Sequence, residues 1–97
     1  MAEINQPQVL LLVKQRLNRF GGIDALDDYL QSRIGGAVEE LREQGITLSG
    51  SLSDTMLLVD YVVWQYQSRD KPGGEPDWLR RRLRRRWMKK AGGEDDA

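Results

Sequence analysis

The sequence predicts an all-α protein, a small bundle of about four helices with a long apolar central helix and a basic C-terminal helix. Apolar residues recur at steps of three or four, which is the period of an amphipathic helix, and no stretch alternates as a strand does. The 97 residues, 39% hydrophobic and 31% charged, suffice for one compact domain. We assign this domain to residues 1–91 and expect residues 92–97 to form a disordered acidic tail.

The first predicted helix opens at Pro7, a residue that suits the first turn of a helix. Apolar side chains then recur at helical spacing as far as Phe20. Gly21 and Gly22 follow and are expected to stop the helix, because glycine is a poor helix former. The sequence therefore predicts a helix of about three turns.

The second helix is predicted from Asp24, a good N-cap, to Gly45, which is expected to end it in a Schellman-type turn. Leucine, isoleucine and valine follow one another along one side of this helix at steps of three or four. Gly35 and Gly36 lie in its middle, where each glycine costs about 1 kcal/mol relative to alanine. We therefore expect either a bend at this pair or the close approach of another backbone.

The third predicted helix, from Asp54 to Arg69, is the most apolar and is capped by Ser51 with Asp54, or by Ser53 alone. Apolar side chains cover two sides of its helical wheel. Such a helix must be buried on two sides, either inside its own bundle or against a second subunit. The candidates for this subunit-interface or core role are Leu57, Tyr61, Trp64 and Tyr66.

Composition argues against enzymatic chemistry. The chain has no cysteine and no histidine, which excludes disulfides, thiolate nucleophiles, zinc fingers and Ser-His-Asp triads. Asp60 lies within the apolar third helix, where we expect it to pair with an arginine or to face solvent rather than to act in catalysis. The sequence thus predicts no enzyme, no cofactor and no metal site.

The fourth predicted helix opens at Pro76 and carries a narrow apolar stripe of Leu79, Leu83 and Trp87. Eight of the eleven positions from 80 to 90 are basic, and like charges four residues apart each cost roughly 0.2–0.5 kcal/mol. Trp78 and Met88 lie away from the stripe, and aromatic and methionine side chains among arginines are typical of contact surfaces. We therefore expect this helix to bind a partner that supplies negative charge.

The zero formal net charge conceals a polarity along the chain. Residues 20–60 hold eight acids and two bases, a local balance of −6, whereas residues 78–91 hold eight bases and no acid. Three sources of negative charge remain open: DNA, the acidic second helix of the same or a neighbouring subunit, and an acidic patch on another protein. The candidate partner-binding residues are Trp78, Arg80, Arg81, Arg82, Arg84, Arg85, Arg86, Trp87, Lys89 and Lys90.

No apolar run approaches the roughly 18 residues that a membrane-spanning helix needs, and no cleavable targeting segment is recognisable at the start. A membrane-surface role for the fourth helix is also not expected, because its apolar stripe is narrow and serves the core. We expect a soluble intracellular protein.

The order of features is similar to that of a known protein family. The residues that carry the similarity are Val13-Lys14, then Asp27-Asp28-Tyr29-Leu30 with Ile34 and Ala37, then Asp54, Leu57-Leu58, Asp60-Tyr61, Trp64, Tyr66 and Arg69-Asp70, then Pro76 and Trp78-Leu79 before the basic helix. In this order and spacing, residues 9–88 resemble the head-tail connector, or head-completion adaptor, proteins of tailed bacteriophages. The dense arginines and the Gly35-Gly36 pair depart from the family's usual pattern.

The resemblance implies a small structural protein without enzymatic activity, made in the bacterial cytoplasm and placed in the virion at the head-tail interface. It implies a homo-oligomeric ring beneath the portal protein that extends the DNA channel and docks the next tail component. DNA then passes through the channel without sequence-specific binding. In such proteins the C-terminal segment engages the portal, which here corresponds to Trp78, Leu79 and the arginines after them.

The alternative is a small DNA-binding or packaging-regulatory protein that places the arginine-rich helix on phosphates. Neutralisation of phosphates by arginine and lysine releases counterions and gives affinity without reading sequence. No helix-turn-helix with a short turn precedes the basic helix, so sequence-specific reading of DNA is not expected.

Overall fold

The computed structural model describes residues 3–17, 24–71 and 73–91 and confirms the all-α class. It contains the helices α1 (Gln6–Arg16), α2 (Asp24–Glu43), α3 (Leu52–Gln67) and α4 (Asp77–Ala91). Within the described residues, the extended pairing is limited to an isolated bridge between Glu3 and Ser49. The expected glycine stop at residues 21 and 22 and the expected tail over residues 92–97 lie outside the described residues.

The start of α1 is fixed by a cap that precedes the predicted helix. The Asn5 side chain accepts a hydrogen bond from the backbone N–H of Gln8 at 3.1 Å, which satisfies one of the donors left free at a helix start. Pro7 lies in the first turn of the helix, where its missing N–H is not needed. Val9 and Val13 are buried and hold α1 on the core.

Helix α2 runs without interruption through Gly35 and Gly36. A Cβ on Gly36 would meet nothing within 4 Å, and a Cβ on Gly35 would meet only the Gln6 side chain at 3.9 Å. No backbone of the described residues outside α2 approaches the pair closely, so that part of the sequence-based expectation is wrong. Packing of the core does not require glycine at either position.

The end of α2 is the predicted Schellman turn. The backbone N–H of Ile46 donates to the carbonyl of Leu41 at 2.8 Å, and that of Gly45 donates to Arg42 at 2.9 Å. Gly45 has a φ of +94°, a backbone conformation that side chains with a Cβ rarely adopt. Both hydrogen bonds satisfy carbonyls at the helix end.

Helix α3 is central, because α1, α2 and α4 all pack against it. It begins two residues earlier than predicted, with Ser51 as N-cap, whose hydroxyl accepts from the Asp54 N–H at 3.1 Å. Leu58, Val59 and Val62 are fully buried. The apolar character of α3 on two sides is therefore met by neighbouring helices of the same chain.

Helix α4 contacts α3 and no other described helix. Leu79 and Leu83 are its buried contacts. Pro76 precedes the helix, and its carbonyl accepts from the Arg80 N–H at 2.9 Å, so Pro76 occupies the cap position rather than the first helical position. No described helix combines the length and the apolar composition needed to cross a membrane.

Candidate functional site

The sides of α4 differ in burial and in charge. Leu79 and Leu83 face α3 with 0% and 7% of their surface exposed. Trp78 and Met88 expose 46% and 58% of theirs, although large apolar side chains are usually covered in a monomer. The basic residues are divided between the edge of the buried side and the exposed side.

Asp60 binds two arginines from two different helices. Its Oδ1 accepts from Nη1 of Arg16 at 2.5 Å, and its Oδ2 accepts from Nη1 of Arg82. The side chain of Asp60 is only 16% exposed, so the arginine partners compensate the cost of burying its charge. The expectation that Asp60 pairs with an arginine is confirmed, and the pairing joins α1, α3 and α4.

Asp54 and Arg86 form a second, two-pronged contact between α3 and α4. Nε of Arg86 donates to Oδ1 of Asp54 at 2.8 Å, and Nη2 donates to Oδ2 at 3.0 Å. Nη2 also donates to the carbonyl of Thr47 at 2.9 Å. Ser49 adds its backbone N–H at 2.7 Å and its hydroxyl at 2.9 Å to Oδ2 of Asp54. Such bidentate arginine–carboxylate contacts are strong and directional.

The two carboxylates are held in their charged form. Burial alone raises the pKa of Asp54, but the hydrogen bonds from Arg86 and Ser49 outweigh it and leave the pKa below its ordinary value. Burial likewise raises the pKa of Asp60, and the hydrogen bonds and charges of Arg16 and Arg82 bring it below the ordinary value. The hydrogen bond with Asp54 in turn raises the pKa of Arg86.

These contacts correct one part of the sequence-based interpretation. Among the described residues, two aspartates of α3 form ion pairs with α4, and acidic α2 makes no helix–helix contact with α4. Arg82 and Arg86, both predicted to bind a partner, thus form ion pairs within the chain. Nη1 of Arg80 lies 3.5 Å from Oδ1 of Asp77. Nη2 of Arg80 donates to the carbonyl of Glu75 at 3.1 Å. The side chain of Lys90 lies outside the described residues.

Four other cations of α4 are exposed, and within the described part of the chain none of them has an ion pair. Successive residues of an α-helix are rotated by about 100° about its axis. On this basis the four cations and the two exposed apolar side chains occupy one sector of roughly 140° on α4. We call this surface the basic–aromatic face; it consists of Trp78, Arg81, Arg84, Arg85, Met88 and Lys89.

Trp87, also predicted to bind a partner, takes a different position. A Cβ on Gly45 would lie 2.7 Å from its Nε1, so the indole lies against the turn that ends α2. Trp87 is 46% exposed. It therefore joins α4 to the α2–α3 connection and is not part of the basic–aromatic face.

The four candidates on α3 lie in or against the core of the chain. Leu57 and Tyr61 are each 3% exposed, and Trp64 and Tyr66 are half-buried. The Tyr61 hydroxyl donates to Glu40 at 3.3 Å. Burial and the negative charge of Glu40 raise the pKa of Tyr61 to about 12, so the phenol stays neutral.

The other two aromatic rings of α3 contact neighbouring side chains. The rings of Tyr61 and Trp64 are 5.8 Å apart, and those of Tyr29 and Tyr66 are 6.1 Å apart, both within the range of favourable aromatic pairs. The Arg69 guanidinium lies 4.2 Å from the centre of the Tyr66 ring, where the cation is attracted to the ring face. Both rings are therefore engaged by side chains of the same chain.

An open cleft of about 590 Å³ separates α4 from the connection between α2 and α3. Arg85 and Lys89 line it on one side, and the hydroxyls of Ser51 and Ser53 on the other. The Asp54–Arg86 pair also borders it. Among the described residues, no group of acidic side chains is arranged to hold a metal ion.

The sequence does not predict that Asp54 and Asp60 are the acidic residues that form ion pairs with α4. One signal was available: on a helical wheel Arg82 and Arg86 fall beside Leu79 and Leu83, at the edge of the buried stripe. The identity of their partners depends on how α4 lies across α3. No protein-family model, curated protein or solved structure matches this chain.

Proposed function

We propose that this chain is a non-enzymatic head-tail connector of a tailed bacteriophage, located in the virion at the head-tail interface. It assembles as a ring beneath the portal protein, extends the DNA channel and docks the next tail component. The proposal combines the resemblance of residues 9–88 with a surface of the chain that is suited to docking on acidic protein. The basic–aromatic face of α4 is that docking surface.

The observation that carries the proposal is the composition of the basic–aromatic face. It interleaves the cations Arg81, Arg84 and Arg85 with the exposed side chains of Trp78 and Met88. Cations at a protein interface steer the encounter and fix orientation, whereas desolvated aromatic anchors supply most of the affinity. A face with both kinds of residue suits a protein partner with acidic residues around an apolar groove.

The ion pairs of α4 make this face rigid before it binds. The Arg82–Asp60 and Arg86–Asp54 pairs lie at the edge of the α3 contact and fix the rotation of α4 about its axis. A preformed surface loses less conformational entropy on binding than a mobile one. The internal pairs thus direct the remaining cations outward as a set.

The triple variant R81E/R84E/R85E tests the proposal. All three side chains are exposed, so we expect the helix content and the thermal midpoint to stay close to those of the wild type. Binding to the portal protein encoded with this chain should be lost, because like charges then face one another. Co-purification of the two proteins measures this binding.

The control for this experiment is R42E/K71E, which reverses two exposed bases outside the basic–aromatic face and should bind the portal as the wild type does. Wild-type binding by the triple variant would contradict the proposal.

A second candidate function is DNA binding through the same face. Arg81, Arg84, Arg85 and Lys89 favour it, because they have no ion pair among the described residues and provide a stripe of charge for phosphates. Exposed Trp78 and Met88 favour a protein partner instead. In a gel shift, log K should fall by about 0.9 per neutralised phosphate per log unit of salt, and the absence of a complex at low salt would remove this candidate.

A further inference from the structure

We infer that the partner of the basic–aromatic face is helix α2 of a second copy of this chain. The inference rests on the proposed function, since it names the surface that the docking face of α4 binds. It places this face against a neighbouring subunit within the ring, so that the assembled ring is what docks on the portal. The argument depends on the exposed side of α2.

One side of α2 carries one exposed acidic residue in its N-terminal half and two near its C-terminal end. Two small residues lie between them at helical spacing, and the set, which we call the acidic face, consists of Asp28, Ser32, Gly36, Glu39 and Glu43. All five are exposed, and among the described residues its three carboxylates have no ion pair. From Asp28 to Glu43 the face extends about 22 Å.

The lengths and charges of the two faces match. The basic–aromatic face extends from Trp78 to Lys89, about 17 Å along α4. It presents four cations to the three carboxylates of the acidic face, and none of the seven has an ion pair with another described residue. A contact between two copies of α4 would instead bring like charges together, which costs free energy.

Gly36 provides the space that an aromatic side chain needs in such a contact. It is exposed in the middle of the acidic face, and a Cβ there would meet nothing within 4 Å. Without a side chain at this position, a ring such as that of Trp78 can lie directly against the backbone of α2. Docking therefore accounts for a glycine that the core of the chain does not require.

The contact must form between copies. Within one chain α4 packs on α3 alone among the described helices, and both faces are exposed, so neither covers the other. Contact between two different surfaces of identical subunits is head-to-tail, and it closes into a ring when the rotation between neighbours permits. The same surfaces can thus join every subunit to the next.

Two charge-reversal variants and their mixture test this inference by sedimentation velocity. The wild type should associate, and the variants R81E/R85E and D28K/E39K should each dissociate with a self-affinity at least about 10-fold weaker, because like charges then meet. A mixture of the two variants should associate again, because the carboxylates introduced on α4 of one variant now face the lysines introduced on α2 of the other. Partial rescue relative to the wild type is expected, since helix ends and neighbouring charges differ.

The control variant R69E/K71E reverses two exposed bases outside α2 and α4, changes the net charge as R81E/R85E does, and should associate as the wild type does. If a reversed variant loses helix content, R81Q/R85Q replaces it and should also weaken association. Wild type that stays at 11.1 kDa at every concentration, or a mixture that stays monomeric, would overturn the inference. A wild type that binds the portal through α4 but stays monomeric would refute this inference alone, whereas a wild type that fails to bind the portal would refute the proposed function.

Discussion

Two aspartates determine how the basic helix is attached to the rest of the chain. Asp60 holds Arg16 and Arg82, and Asp54 holds Arg86. For Asp60 the sequence leaves open an arginine partner or exposure to solvent, and it presents Asp54 only as a capping residue. The missing information is tertiary, since Arg82 and Arg86 lie 22 and 32 positions away from their partners.

The lowered pKa values of Asp54 and Asp60 predict acid sensitivity. A carboxylate whose pKa is lower in the folded state contributes stability above its unfolded pKa of about 3.9, and this contribution is lost as the pH falls through the folded value. We therefore expect the free energy of unfolding to fall below about pH 4. In D60N this acid-induced loss should be smaller.

At pH 7 we expect D60N to be less stable than the wild type by about 1–2 kcal/mol, a value reduced for the partial exposure of the arginines. Urea denaturation at pH 7 and pH 3 measures both effects. D70N, which changes an exposed loop carboxylate, should stay within about 0.5 kcal/mol of the wild type. A D60N curve parallel to that of the wild type down to pH 3 would contradict this account.

Local sequence predicts the four helices correctly, but it predicts their first and last residues less accurately. The period of apolar residues and the Gly45 stop predict all four helices and the Schellman turn. Helix α3 is shifted by two residues toward the N-terminus, because Ser51 is its N-cap and accepts a hydrogen bond from the Asp54 N–H. The Gly35-Gly36 pair does not mark a close approach of another backbone. The sequence alone cannot distinguish an exposed glycine from one that packing requires.

Two glycine substitutions separate these roles. G45A should destabilise the protein by about 1–3 kcal/mol, because the φ of +94° disfavours a Cβ that would also lie 2.7 Å from Trp87 Nε1. G36A should stabilise it by roughly 0.4–1 kcal/mol, because the position is helical and nothing lies within 4 Å. Thermal unfolding followed by circular dichroism measures both, and a destabilising G36A would show that α2 needs this glycine to fold.

For the whole molecule, the zero net charge is the sum of an acidic side and a basic side. Some of these charges form ion pairs between α4 and α3. Others are exposed on the basic–aromatic and acidic faces. Sequence reasoning predicts the polarity and the exposure of Trp78 and Met88. It does not distinguish the arginines that pair with α3 from those without an ion pair among the described residues, since that division depends on the angle at which α4 crosses α3.

The central claim, that this chain works as an assembly component, is tested most directly by its mass in solution with and without the portal protein. Light scattering on a size-exclusion column should show the chain in a complex heavier than the portal alone. The unbound fraction should contain species above 11.1 kDa as concentration rises. A chain that elutes as a strict 11.1 kDa monomer under both conditions would contradict the account.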